Sequence, residues 1–116
     1  MHHNFKNLLV WQRACALAES LYILVKKLPD IERYGLRSQI QRAAISVPSN
    51  IAEGCGRESN KELHHYLNIA IGSLCELETQ LILTKRLRLF KAEATEPHLK
   101  EINEIRKMIS ALRKQL

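Results

Sequence analysis

The sequence predicts an all-α protein, a single domain over residues 1–116 that folds as an antiparallel, up-down-up-down four-helix bundle. Apolar residues make up 46% of the chain and aromatic residues only 5%, so leucine, isoleucine and alanine dominate, which favours helices over strands. In four successive segments the apolar residues recur every three or four positions, as they do along one face of a helix. Short turns separate these segments, and helices joined by short turns pack as antiparallel neighbours.

The first two helices are predicted from apolar stripes that end at proline or glycine. The first stripe consists of Ala14, Leu17, Leu21, Leu24 and Leu28, and Pro29 stops this helix. The second stripe consists of Leu36, Ile40, Ala43, Val47 and Ile51, and this helix ends near Gly54 and Gly56. Pro48 lies within the second helix and frees the carbonyl of Ala44. We therefore expect a kink near Pro48 without a chain break, with Ser46, Ser49 and Asn50 available to bond the freed backbone groups.

The third and fourth helices are predicted from start signals as well as from stripes. Ser59 followed by Glu62 is the pattern of a capping box, which opens the third helix. The stripe of this helix consists of Leu63, Leu67, Ala70, Leu74, Leu77 and Leu81. Thr95 with Pro97 is predicted to open the fourth helix. Its stripe consists of Ile102, Ile105, Ile109, Leu112 and Leu116.

Cysteine usage and hydropathy indicate a cytoplasmic protein. The cysteines are three in number and form no Cys-x-x-Cys pair, which argues against a disulfide framework and a zinc ribbon. We expect neither secretion nor membrane insertion, because the sequence shows no leader pattern and no apolar run near the roughly 20 residues that span a bilayer. Cys15, Cys55 and Cys75 are interpreted as buried structural thiols, since no local histidine signature marks a nucleophile.

Positive charge is concentrated at one end of the predicted bundle. The chain carries 18 Lys and Arg against 12 Asp and Glu, a formal charge of +6. In an up-down-up-down bundle the turns after the first and third helices lie at the same end, and the segments 26–37 and 85–100 around them hold nine cations and four acids, leaving +5. We call these cations the basic pole: Lys26, Lys27, Arg33, Arg37, Lys85, Arg86, Arg88, Lys91 and Lys100. Such a surface suits nucleic-acid phosphates, although a merely solvated end has the same composition.

Glu62 and His65 form one Glu-x-x-His pattern, the arrangement by which two-metal carboxylate bundles hold iron or manganese. Such sites need a second copy of the pattern and two more carboxylates, and the sequence contains no second copy. No Gly-rich phosphate loop is present either, because Gly54 and Gly56 follow a predicted helix and not a strand. We therefore expect no metal, no cofactor and no catalysis.

Several residues of the second helix and its flanks resemble a known family signature. The matching residues are Tyr34-Gly35-Leu36, Gln39, Arg42-Ala43-Ala44, Ser46-Val47-Pro48, Asn50-Ile51-Ala52-Glu53-Gly54 and Arg57. Trp11-Gln12 in the first helix is also similar, as are Ala70, Gly72-Ser73-Leu74 and residues 76–81 in the third. These residues resemble the bacterial four-helix-bundle proteins associated with intervening sequences of 23S ribosomal RNA. Cys55 departs from the pattern, since the family often has an aromatic residue there.

The resemblance implies a homopentamer and relatedness to the accessory protein of diversity-generating retroelements, which binds nucleic acid and a reverse transcriptase. We refer to Gln39, Arg42, Ser46, Asn50, Glu53, Gly54 and Arg57 as the family motif. Within it, we expect Arg42 or Glu53 to pair with an opposite charge on the adjoining helix or on a neighbouring subunit.

Two functions remain open from the sequence. The first is a homo-oligomeric module that binds RNA or DNA through the basic pole, and the second is a structural or protein-interaction scaffold without nucleic-acid binding. Either would self-associate, because apolar residues outside the stripes widen the first and third helices. These residues are Val10, Ile23, Ile69, Ile71, Ile82 and Leu83.

Overall fold

Four helices make up most of the part of the chain that the structure, a computed structural model, describes, residues 4–116. They are α1 (Leu9–Val25), α2 (Leu36–Cys55), α3 (Asn60–Arg86) and α4 (Ala92–Lys114). Short 3₁₀ turns at Phe5–Asn7 and Asp30–Glu32 precede α1 and α2. Each helix packs on its neighbours in sequence, and α4 closes the bundle by packing on α1.

Contacts between the helices confirm the antiparallel arrangement. Ser46 on α2 bonds Ser73 on α3, while Gly54, further along α2, meets Leu63 near the start of α3. Between α1 and α4, Ser20 reaches His98 at 2.8 Å. The molecule measures 45 × 23 × 20 Å, so the two ends of the bundle lie far apart along its long axis.

The predicted stripes form the core. Every residue of the α1 and α3 stripes is buried, as are the four α2 residues from Ile40 to Ile51 and the three isoleucines of α4. Leu36, Leu112 and Leu116 are only partly buried, because they lie near helix ends. Val10 is also buried, so its assignment to a surplus outer surface was wrong. It lies one helical turn before Ala14 and extends the same stripe.

Helix starts follow the predicted signal in α3 but not in α4. Ser59 Oγ accepts a hydrogen bond from the Glu62 amide at 3.1 Å, which confirms the capping box. The fourth helix begins at Ala92, three residues before the predicted opening at Thr95. Lys91 is the extended residue that precedes this helix. Thr95 is fully buried and its hydroxyl donates to the carbonyl of Ala92, so it serves inside the first turn and not as a cap.

Pro48 lies within a continuous α2, so the chain is not broken there, as predicted. The nearby polar side chains bond differently from the expectation. Asn50 Nδ2 donates to the carbonyl and the hydroxyl of Ser46, at 2.8 and 2.9 Å, and not to the carbonyl of Ala44. Ser46 Oγ in turn lies 2.8 Å from Ser73 Oγ, so these side chains link α2 to α3.

Candidate nucleic-acid interface

The basic pole is built by two turns at the same end of the bundle. Antiparallel packing places the α1–α2 turn and the α3–α4 turn at the same end of the bundle. Of the nine cations only Arg37 is half-buried, and the other eight side chains are exposed. The topology thus places the turns that carry these charges at one end of the bundle.

The cations of the basic pole form no ion pair within residues 4–116, and the same is true of five cations elsewhere: Lys6, Arg42, Lys61, Arg113 and Lys114. Within residues 4–116, ion pairs are formed by Arg13, Arg57, Arg106 and Lys107, none of which belongs to the pole. The four acids in the pole segments therefore reduce its net charge without being tied to particular cations. Exposed, unpaired side chains remain mobile and hydrated. They can give up this mobility and hydration when they contact a phosphate.

The turn after α3 ends the helix in a Schellman motif that displays Arg88. The Leu89 amide donates to the carbonyl of Thr84 at 2.8 Å, and the Arg88 amide donates to that of Lys85 at 3.0 Å. Arg88 has φ of 61°, the left-handed conformation for which glycine is the usual residue. A shallow groove beside this turn is lined by Lys85, Arg88 and Lys91, among others.

The turn after α1 displays two large side chains, Tyr34, which the family resemblance includes, and Ile31. Tyr34 is 89% exposed and Ile31 is 87% exposed. Neither belongs to an apolar stripe, and their exposure distinguishes them from Leu28, which is buried, and Leu36, which is partly buried. The turn has no helical period, so the spacing of apolar residues does not predict the exposure of these two side chains.

The first half of the family motif faces a groove between α2 and α3. Gln39, Arg42 and Ser46 recur at helical spacing along α2, and together with Ser73 and Glu76 of α3 they line this groove. Gln39 and Arg42 are exposed, whereas Ser46 is half-buried and bonded to Ser73. Asn50 continues the same face and is fixed by Ser46.

The second half of the motif holds the α2–α3 turn, at the end opposite the basic pole. A side chain at Gly54 would place its Cβ 2.9 Å from Leu63 Cδ1 and from Tyr66 Cβ, so only glycine allows this approach of the two helices. Arg57 lies over the ring of Tyr66, 4.9 Å from its centroid, and donates to the Tyr66 hydroxyl at 2.7 Å. This half of the motif therefore stabilises the fold.

Charge pairing between helices involves other residues than the expected ones. Glu53 pairs at 3.6 Å with Arg57, which follows in the same chain segment, and not with the adjoining helix. A one-turn spacing at the end of α2 favours this local partner. The pairs that link helices are Arg13 with Glu101 and Arg106 with Glu78. Sequence spacing cannot reveal them, because their partners lie on different helices.

The Arg13–Glu101 pair is bidentate. Arg13 Nε donates to Glu101 Oε2 at 2.9 Å, and Nη2 donates to the other carboxylate oxygen. The hydrogen bonds with this carboxylate raise the pKa of Arg13. Arg106 Nη2 lies 3.3 Å from Glu78 Oε1. These half-exposed pairs link α4 to α1 and to α3. Neither arginine belongs to the basic pole.

Glu62, His65 and the three cysteines are the groups that the sequence offered for a metal site or a nucleophile. No cluster of three or more His, Cys, Asp or Glu side chains suited to a metal occurs between residues 4 and 116. Glu62 and His65 are both exposed, and Glu62 takes part in the cap of α3. Burial raises the pKa of the Cys15 and Cys55 thiols.

Cys75 is exposed, so its interpretation as a buried thiol was wrong. It lies on the outer side of α3, next to the buried Leu74 but outside the stripe. In the part of the chain that the structure describes, no helix is both long and apolar enough to cross a membrane.

These observations define a small all-α bundle protein with one strongly basic end. Residues 6–111 match the sequence model of the 23S rRNA-intervening sequence protein family, and the chain belongs to this family. It is similar to a crystal structure of a protein of unknown function from the S23 ribosomal protein family of Bacteroides thetaiotaomicron, with a TM-score of 0.85. The two are 26% identical, and the alignment covers 91% of this chain and 99% of that one. No curated protein sequence matches the chain.

The family resemblance and the four-helix bundle predicted from the sequence are thereby confirmed. The relation to the retroelement accessory protein and the pentameric state stay predictions.

Proposed function

We propose that the protein is a non-catalytic, homo-oligomeric module of the cytoplasm that binds the phosphates of structured RNA or DNA through the basic pole. The observation that carries the proposal is the set of nine cations at one end, none with an acidic partner within residues 4–116. A reverse transcriptase is a candidate protein partner by analogy with the accessory protein named above.

Nine cations at one end, none of them already paired with an acid, are suited to phosphate binding. Each cation that meets a phosphate releases condensed counterions, so affinity gains from every cation that is not already neutralised by the protein. If about four to six phosphates are contacted, the logarithm of affinity for duplex DNA should fall with the logarithm of salt concentration with a slope of about −4 to −5. Binding of this kind depends little on sequence.

Self-association is supported by apolar side chains on the outer faces of α1 and α3. Ile23 on α1 is 64% exposed, and Ile69, Ile82 and Leu83 on α3 are exposed as well. Contacts between subunits would remove these side chains from water. In a ring of parallel subunits, the basic poles would form one rim and multiply the number of phosphate contacts. Light scattering that finds a stable monomer at micromolar concentration would contradict the oligomer.

The test is a binding titration against structured RNA and duplex DNA at several salt concentrations. Replacing Lys85, Arg86 and Arg88 together by glutamine should flatten the salt slope by up to about three units, because each lost phosphate contact removes about one. The matched control replaces three exposed lysines near the opposite end, Lys6, Lys61 and Lys114, by glutamine. Arg106 is unsuitable as a control, since its loss would leave Glu78 without its partner.

The control variant should keep the slope of the wild type. Equal weakening in both variants, or no salt-dependent binding by the wild type, would remove the basic pole from the mechanism. The same exposed apolar faces would then favour the scaffold function, in which the protein binds itself or another protein and the charge only keeps it dissolved.

A further inference from the structure

The α1–α2 turn holds Tyr34 out into solvent from a hydrogen-bonded backbone. The amides of Glu32, Arg33 and Gly35 each donate to the carbonyl three residues earlier, at 2.8 to 3.1 Å. The turn therefore has little freedom on either side of Tyr34. Ring contacts in the described chain join Phe5 to Trp11 and His65 to Tyr66, and they leave the Tyr34 ring alone. A large aromatic face is thus presented at the basic end on a hydrogen-bonded backbone.

We propose that Tyr34 stacks on an unpaired base, so that the basic pole selects single-stranded nucleotides over a continuous duplex. This inference rests on the proposed function, because the cations must first hold the nucleic-acid backbone. Arg33 and Arg37 lie within one helical turn of Tyr34 in the sequence and supply phosphate contacts beside the ring. A positive groove combined with an aromatic platform is the usual arrangement for binding single strands.

The geometry favours an unpaired base over the two other occupants of such a surface. Bases within a duplex are already stacked on each other and offer no face to an outside ring, so a duplex would use only the cations. An anionic lipid surface would need Ile31 to enter the headgroup layer. Ile31 lies between Asp30 and Glu32, whose carboxylates would enter with it and be repelled. Tyr34 has Arg33 and Gly35 as its neighbours instead.

The test compares an unstructured single-stranded RNA with a duplex of equal length at one salt concentration. Tyr34→Ala should lower the affinity for the single strand about fivefold or more, the lower end of the range for one stacked base. It should leave the duplex affinity and the salt slope unchanged, because tyrosine carries no charge. Tyr34→Phe should bind like the wild type, since the stacking face is kept.

Ile31→Ala is the matched control, because Ile31 lies in the same turn with equal exposure but has no ring. It should not change either affinity. In Tyr34→Trp, base stacking should quench a fluorescence signal absent from the wild type, whose single tryptophan, Trp11, lies near the other end of the bundle.

Three results would overturn the inference and each has a distinct meaning. Salt-dependent binding of the wild type that Tyr34→Ala leaves unchanged would reject stacking while keeping the proposed function. A Tyr34→Ala variant with an altered oligomeric state would place Tyr34 at a subunit contact. Tight binding to phosphatidylserine vesicles that Ile31→Ala weakens would assign the turn to a membrane surface. Absence of nucleic-acid binding by the wild type would instead reject the proposed function itself.

Discussion

Replacing Arg88 by glycine should stabilise the fold while it weakens nucleic-acid binding. Arg88 adopts φ of 61° at the end of α3, where the left-handed conformation costs a residue with a side chain about 1–2 kcal/mol. Glycine avoids this cost but loses about 0.5–1 kcal/mol more backbone entropy on folding. The difference predicts a gain of about 0.5–1 kcal/mol in the free energy of unfolding, measurable as a shifted midpoint in urea.

Two further variants separate the backbone from the charge. Arg88→Gln keeps the left-handed strain and removes the cation, so its stability should equal that of the wild type. Both Arg88→Gly and Arg88→Gln should reduce the salt slope of binding by about one unit. Arg88→Lys should keep both the stability and the slope, because a cation remains on the same backbone.

The reasoning fails if Arg88→Gly is no more stable than Arg88→Gln at the same protein concentration. Equal concentrations are needed because subunit association adds to apparent stability. If Arg88→Gly binds nucleic acid as tightly as the wild type, the expected role of Arg88 in binding is wrong. The backbone strain at this turn would then not serve nucleic-acid binding.

Two other predictions concern packing and thiol reactivity. Gly54→Ala should lower the free energy of unfolding by about 1–3 kcal/mol, because its Cβ would overlap atoms of α3. Gly72→Ala, with open space around the added methyl, should raise it by about 0.5–1 kcal/mol, as alanine favours a helix interior. In alkylation followed by mass spectrometry, Cys75 should react first. Cys55 should react only on unfolding, because it is buried and its raised pKa reduces the thiolate fraction.

The helical stripes could be predicted from the sequence because burial imposes a period on every helix of a bundle. Leu67, Leu74 and Leu81 follow that period and are fully buried. The start of α4 was predicted less accurately than the stripes. Thr95 and Pro97 are residue types that often begin a helix, but here they lie a few residues inside it. Here Lys91 has no capping side chain, so no residue type marks the true boundary.

The charges at the basic pole were predictable because topology alone assigns two turns to one end. Their freedom from ion pairs was not, since it depends on which acids come near in space. Glu101 and Glu78 are each used by an arginine on another helix, which sequence spacing cannot show. The exposure of Tyr34 was hidden for the same reason, because only the packed structure shows that no helix covers the turn.

The salt dependence of stability gives an independent measure of the pole, without any ligand. Two like charges about 8 Å apart in water repel by about 0.5 kcal/mol, and physiological salt screens most of this. Crowding unpaired cations at one end should therefore make the wild type less stable in low salt, so its free energy of unfolding should rise as salt is added.

Ion pairs such as Arg13–Glu101 act in the opposite direction, because salt weakens attraction as well as repulsion. Comparing the wild type with the triple glutamine variant at Lys85, Arg86 and Arg88 cancels that contribution, since both proteins keep the pairs. The variant should be more stable in low salt, and the difference should shrink as salt rises. A constant difference across salt concentrations would mean that these cations do not repel one another in the folded protein, and that the pole is not a concentrated positive surface.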